Sequence, residues 1–248
     1  MPADTLHLRP TAELAERVLL PGDPGRALAL AQTLLDQPRM FNHHRGLWGY
    51  TGVAGDGEPL TVQSTGMGGP SAAIVLEELI MLGARRAVRV GTCGALRDPV
   101  RVGDIVVVRE ALAADGASRA LGAGARVCGD AALSTALEQL APAGEGGASR
   151  SVHAGLVVST DLFYDPRSEG ERCWAQEALA VEMEAATLFV LGRRRDVAVG
   201  CLLAVSDRLV GPRRERIGDE QLLTVAEHMG VAAVAALATP PPEPLRRP

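Results

Sequence analysis

Apolar positions along the chain recur with two different periods. Short runs rich in β-branched residues and leucine alternate with longer stretches in which apolar residues return every three or four positions. "RVLLPG" (17–22) reads as a strand leading into the helical "DPGRALALAQTLL" (23–35). "PLTVQST" (59–65) leads through a glycine loop into the helical "PSAAIVLEELIMLG" (70–83). "RAVRVG" (86–91) and "GDIVVV" (103–108) read as strands, "DAALSTALEQL" (130–140) as a helix and "VHAGLVVST" (152–160) as a strand. "AVEMEAATLFVLG" (180–192) is a strand running into a helix, "VAVGCLLAVSD" (197–207) a strand, and 218–237 a closing helix. Strands alternating with helices predict a mostly parallel or mixed sheet covered by helices on both faces. "APAGEGGASR" (141–150) has the composition of a surface loop and "TPPPEPLRRP" (239–248) that of a disordered tail.

One segment breaks its own pattern. "AVEMEAATLF" (180–189) is apolar except for Glu182 and Glu184. Ala185, Ala186, Leu188, Phe189 and Leu191 leave no wide polar face for two acids. A buried, unpaired carboxylate costs several kcal/mol, so each acid requires a partner or an opening to water. Acids in the first turn of a helix also gain about 0.3–1 kcal/mol from its dipole, a purely structural alternative.

The 248 residues are 47% hydrophobic with a net charge of −5, which suits one α/β domain or at most two small ones. Aromatic residues make up 3% and the balance is acidic, so neither stacking platforms nor a basic stripe for nucleic acid is expected. All 25 basic residues are arginine. The absence of lysine excludes a Walker-type phosphate loop and Schiff-base or pyridoxal chemistry. Cys93, Cys128, Cys173 and Cys201 form no CxxC pair, which reads as reduced thiols in a cytoplasmic protein. No signal peptide is expected, and "VAEHMGVAAVAALA" (225–238) reads as too short and too interrupted to span a membrane.

Four stretches of unusual composition fall at predicted strand ends, where ligands of such sheets sit. In "PGDPGR" (21–26), Asp23 and Pro24 are helix-start residues, and the free amides behind Gly22, with Arg26 one turn on, also suit an anion. "STGMGGPS" (64–71) is glycine-dense but is not a dinucleotide fingerprint. "RVGTCGA" (89–95) puts Arg89 in an apolar strand, where it needs an anionic partner, and adds the Thr92 hydroxyl. Cys93 reads as a small buried thiol. "VSDR" (205–208) offers Asp207 as either a turn former or a general acid. His43 and His44 have no acid or cysteine cluster to make a metal site, and Arg45 beside them suits phosphate better.

In this order, "PGDPGR", "HRG", "STGMGGPSAAIVLEELIMLGA", "RVGTCGA", "STDLFY", "VEMEAATLF" and "VSD" resemble the nucleoside phosphorylase family, over about His7 to Asp207. That family includes bacterial purine nucleoside, uridine and methylthioadenosine phosphorylases. The resemblance implies one domain over 1–238, with a central mixed, twisted sheet flanked by helices. It implies cleavage of an N-glycosidic bond by inorganic phosphate, giving free base and ribose 1-phosphate, without metal or organic cofactor. It further implies a cytoplasmic homohexamer whose sites are shared between subunits, with no nucleic-acid or membrane partner.

By the same resemblance Gly22, Arg26, Arg89 and Thr92 hold phosphate, joined by Arg45 from a neighbouring subunit. Glu184 accepts from the ribose 2′ and 3′ hydroxyls, Met183 packs under the sugar, and His7 reaches the 5′ end of a neighbour's ribose. Phe163, Glu182 and Ser206 lie beside the base. Asp207 matches the residue that protonates purine N7, a role requiring a raised carboxyl pKa. Arg213, Arg214 and Arg216 are candidates for assisting it. "FYDPRSEGER" (163–172) lacks the glutamine of the uridine branch, and neither Arg167 nor Arg172 takes the place of its arginine. The purine branch is favoured on Asp207. Uridine or methylthioadenosine phosphorolysis, a water-using hydrolase and an inactive nucleoside-binding relative are the alternatives.

Overall fold

The computed structural model describes residues 5–141, 150–165, 173–210 and 215–239. They form one α/β domain around an 11-stranded mixed sheet. The first strand β1 (Arg17–Leu20) runs into α1 (Pro24–Leu34), whose start is set by the Asp23 carboxylate accepting from the Arg26 amide at 2.7 Å. Next come β2 (Leu35–Asn42), β3 (Gly49–Ala54) and β4 (Pro59–Gln63), then α2 (Gly69–Leu82) and β5 (Arg86–Ala95). β6 (Ile105–Ala113), α3 (Gly116–Ala120), β7 (Arg126–Cys128), α4 (Ala131–Leu140) and β8 (Val152–Ser159) follow. The chain continues with β9 (Ala180–Glu182), α5 (Ala185–Arg195), β10 (Ala198–Arg208), β11 (Glu215–Arg216) and α6 (Asp219–Ala238).

The sheet is not a simple open array. β5 pairs with β10, β10 with β6, β6 with β8, β8 with β9, and β9 returns to β5, closing a ring of five strands. The remaining ladder β1–β4–β3–β2 branches from β5. Along one edge β5 pairs with β10 over Arg86–Ala95. Along the other it pairs with β1 over Arg86–Arg89 and with β9 only at Gly94 and Ala95. The fork leaves residues 90–93 of that edge between two diverging strands. Gly22 follows one of those strands and Glu184 the other, so the fork brings "PGDPGR", "RVGTCGA" and the two acids of "VEMEAATLF" to one crevice.

Side-chain alternation along β5 divides the core. Ala87, Cys93 and Ala95 pack with Ala72, Val75 and Leu76 of α2 and Ala185–Leu191 of α5 on one face. Val88 and Val90 pack with Leu30 of α1, Leu133 and Leu137 of α4, and Val225, Met229 and Ala233 of α6 on the other.

"RVGTCGA" forms the last seven residues of β5, which ends at Ala95, so it closes a strand as expected. "VSDR" likewise forms the last four residues of β10, which ends at Arg208. One expectation is corrected. α6 is longer than its apolar core suggested, and by length and composition it could cross a bilayer. Half of its apolar window is buried inside the domain, which is the setting of a core helix. The expected terminal tail lies, from residue 240, outside the described residues, as does most of the expected loop at 142–149.

Candidate functional site

Arg89 is the hub of the crevice. Its side chain is 4% exposed. Its Nη2 donates to Glu184 Oε2, and its Nε lies 3.4 Å from Glu182 Oε2. Burial alone would depress the guanidinium pKa, but the charges of Glu184 and Glu182 outweigh it and hold Arg89 protonated. This answers the puzzle of "VEMEAATLF", since both acids are buried and both face one arginine. Glu184 also accepts from the Gly68 amide at 2.6 Å through Oε1, tying it to the start of α2.

Glu182 has a different setting. Its oxygens accept from the Glu184 amide at 2.9 Å and the Ala185 amide at 3.0 Å, and from the Ser159 hydroxyl. Burial pushes its pKa up, Arg89 opposes this, and Glu184 reinforces it. The base contact expected of Glu182 does not match this geometry. The carboxylate is committed to the first turn of α5 and to Arg89, as the dipole alternative anticipated.

The anion-binding potential lies on the opposite side of Arg89. Arg89 Nη1 and Arg26 Nη1 are buried with no hydrogen-bond partner among the described residues. A Cβ at Gly22 would stand 3.9 Å from both Arg26 Nη2 and Arg89 Nη1, so both guanidiniums face the turn after β1. Burial, then the charge of Arg89, lowers the Arg26 pKa. Two guanidiniums with unpartnered N–H groups gathered at the start of a helix suit an oxyanion.

Gly91 makes the arrangement possible. A Cβ there would sit 2.7 Å from Arg89 Cζ and 2.8 Å from Nη2, so any side chain evicts the guanidinium. Gly91→Ala is expected to weaken binding of inorganic phosphate by roughly tenfold or more. That matches the loss of one charge-assisted bond, about 1.5–3 kcal/mol. Calorimetric titration of the two proteins with phosphate checks it, and equal affinities would remove Arg89 from the anion site.

Asp207 is placed by a backbone irregularity. The ladder between β10 and β5 shifts register between Val205 and Asp207, so the strand carries an extra residue, Ser206, at this point. Bulges of this kind re-aim side chains beside active sites. Asp207 is buried, and the Ser206 hydroxyl lies 2.9 Å from its Oδ2 and 3.3 Å from the Cys93 carbonyl. The hydroxyl has one proton to give. Directed at Cys93, it leaves its oxygen free to accept from a protonated Asp207, so the site accommodates both carboxyl states.

The sheet brings Asp207 opposite Gly94 and Arg216. Arg216 is exposed at the domain edge, while Arg213 and Arg214 fall outside the described residues, as do Arg167 and Arg172. Thr92 and Met183 are half-buried along the crevice strands, and Thr92 makes no side-chain hydrogen bond among the described residues. Phe163 is 52% exposed and edge-to-face with Tyr164 at 5.0 Å. Cys93 is buried and its thiol pKa is pushed up by that burial, so it is no nucleophile.

His7 and Arg45 lie apart from this crevice. The amides of Leu6, His7 and Leu8, and the His7 ring, all bind the Glu78 carboxylate, with His7 Nδ1 at 2.6 Å. The N-terminal segment is therefore anchored on α2 rather than free in solvent. Glu78 lies ten residues along α2 from Gly68, a separation of about 15 Å along the helix axis. Arg45 is exposed with a left-handed backbone, φ 58°. His7, Arg9, His43 and Arg45 surround His44, whose pKa is lowered by burial and then by the charges of Arg9 and Arg45.

Three contributors escaped the sequence reading. Ser159 both donates to Glu182 and accepts from the Ala186 amide at 2.9 Å, locking strand β8 to the start of α5. Gly68 supplies an amide to Glu184, and Glu78 fixes the N-terminal segment. Ser159 and Gly68 stood inside "STDLFY" and "STGMGGPS", but nothing in either motif distinguishes these residues from their neighbours. Among the described residues no group of three or more His, Cys, Asp or Glu side chains is disposed to hold a metal ion.

Similarity to known proteins fits this geometry. The chain is 36% identical to the DeoD-type purine nucleoside phosphorylase of Geobacillus kaustophilus over 230 residues, covering 92% of this chain and 95% of that protein. It is 38% identical to the DeoD-type enzyme of Caldanaerobacter subterraneus over 200 residues, covering 80% and 85%. It is 35% identical to one from Clostridium perfringens over 227 residues, covering 91% and 95%. The profile of the phosphorylase superfamily matches residues 16–239, and with nearly the whole fold inside that match, the chain belongs to the phosphorylase superfamily.

Proposed function

We propose that this protein is a purine nucleoside phosphorylase, and that the crevice at the β5 fork is its active site. One observation carries the reading: the Arg26 and Arg89 guanidiniums both lie at Gly22, each with a buried N–H group that has no partner among the described residues, and Arg89 also holds the carboxylate of Glu184. An oxyanion site touching a carboxylate acceptor suits a phosphate lying below a ribose whose cis-diol Glu184 receives. Thr92 adds a hydroxyl to the phosphate site and Met183 packs under the sugar. Ser206 and Phe163 border the base.

In the proposed reaction the C1′–N9 bond lengthens toward an oxocarbenium-like ribosyl group, as in glycoside cleavage. A phosphate oxygen then bonds C1′. Asp207 gives its proton to N7, so the electron pair of the breaking bond leaves on a neutral base. Solvent returns the proton. No step requires a metal or an organic cofactor. A water-using relative would gain nothing from Arg26, Arg89 and Arg45 together. Product analysis tests the reading: each base released is expected with one ribose 1-phosphate, and free ribose in its place would mean hydrolysis.

The position of His7 and Arg45 supports a shared site in a homohexamer or smaller assembly. His7 is held on Glu78, about 15 Å along the α2 axis from Gly68 and its partner Glu184, and Arg45 is exposed, as expected of groups that complete a neighbour's site. Subunit mixing checks this. Arg45→Ala and Asp207→Asn proteins, each nearly inactive alone, should regain a substantial fraction of wild-type activity when dissociated and reassembled together. A fully active monomer, or no recovery on mixing, would contradict sharing.

A further inference from the structure

We infer that the Arg89–Glu184 ion pair is a latch between the two substrate subsites, which either substrate loosens, so that phosphate and the ribose diol bind with positive coupling. The inference rests on the phosphorylase reading above. Arg89 Nη2 is held by Glu184 Oε2, while Glu184 Oε1 is held by the Gly68 amide. The guanidinium that should receive the phosphate is thus partly neutralised by the carboxylate that should receive the sugar. The two arginines and the two acids at this point, Arg26 and Arg89 against Glu182 and Glu184, balance to no net charge. An arriving phosphate meets Glu184 both as a competitor for Arg89 and as a like charge.

Each ligand relieves the obstacle to the other. Diol hydroxyls donating to Glu184 disperse its charge and weaken its grip on Arg89. A phosphate drawing on Arg89 loosens its hold on Glu184 Oε2 in return. Coupling of this kind is reciprocal by necessity, and typical values lie between about 5-fold and 150-fold. Glu182 does not take part in the exchange. Its bonds to two backbone amides and Ser159 persist, and it keeps the guanidinium from being drawn out of the crevice.

The test is titration of inorganic phosphate alone, by calorimetry, into wild-type and Glu184→Gln proteins. Glutamine keeps the acceptor for Gly68 but carries no charge. Phosphate is expected to bind about tenfold tighter to Glu184→Gln, although the variant loses nucleoside affinity. A Glu184 that served only the ribose would leave phosphate binding unchanged, and unchanged or weaker binding overturns the latch.

A second measurement needs no variant and holds if Glu184→Gln fails to fold. Sulfate, a non-reacting oxyanion, is titrated into wild-type protein with and without inosine or 2′,3′-dideoxyinosine. Inosine should tighten sulfate about tenfold and the dideoxy compound should not; equal effects overturn the inference. Failure of the phosphorylase reading would look different, as no base release from any nucleoside, whereas the phosphate titration of Glu184→Gln requires no turnover.

Discussion

Asp207→Asn is expected to lose between about 10² and 10⁴ of the wild-type rate on inosine while nearly sparing 7-methylguanosine. The substitution keeps the size of the side chain and one hydrogen-bond donor but cannot transfer a proton. Inosine must leave as a base protonated at N7. 7-Methylguanosine already carries positive charge on its imidazole ring and departs neutral without help. The bulge at Ser206 holds residue 207 by its backbone, so asparagine should occupy the same position. Steady-state rates on both nucleosides, in protein shown to be folded and assembled, give the comparison. Equal losses on the two substrates would mean that Asp207 acts by position alone.

Arg89→Ala should damage both stability and phosphate use, and the two effects separate with pH. Removing the guanidinium strands Glu182 and Glu184 in a site where both are about 5% exposed. Breaking a buried pair by deleting one partner costs about 3–5 kcal/mol because the surviving charge is uncompensated. Glu182 titrates above its ordinary value of 4.5 even in the intact protein. A carboxyl raised in the folded state favours folding below its unfolded pKa and loses that contribution as pH rises through the folded value. Without Arg89 the folded value rises further, so the window of lost stability widens toward neutrality. The deficit of Arg89→Ala is therefore expected to be largest near pH 7 and to shrink as pH falls toward the ordinary carboxyl range. Urea unfolding of both proteins at neutral and acidic pH measures it. A deficit independent of pH would mean that lost packing, rather than stranded charge, dominates. Activity should fall in parallel, with the half-saturating phosphate concentration raised at every pH where the variant is folded.

The elements with strong periodicity were legible in the sequence because burial on both faces forces near-continuous apolar runs. β1, β5, β6, β8 and β10 stand out in this way, as do the long helices. β2 was not legible: Asp36–Met40 are exposed, it contains Pro38, and among the described residues it pairs only with β3. Such a strand sits at the edge, where proline and polar residues are tolerated. β7 and β11, at three and two residues, are too short to carry a period at all.

The site was legible where chemistry conflicts with environment. An arginine and two acids in apolar segments each announced the need for a partner, and the structure pairs them with one another. Glu182 and Glu184 differ by two residues in an apolar run, and only the path of the chain decides which one serves the α5 amides. The fork in β5 was not legible, because pairing partners are chosen by residues far away in sequence. Nor did any local pattern show that Gly91 clears space for Arg89, since a glycine in a strand has the same appearance whether it serves a bulge, a turn or a neighbour's side chain.

Base release from inosine and uridine, each followed by absorbance with and without inorganic phosphate, tests the central claim most directly. A purine nucleoside phosphorylase releases hypoxanthine from inosine only when phosphate is present, saturably in phosphate, and leaves uridine essentially untouched. Release of hypoxanthine at the same rate without phosphate, or rapid cleavage of uridine with inosine spared, would contradict the account.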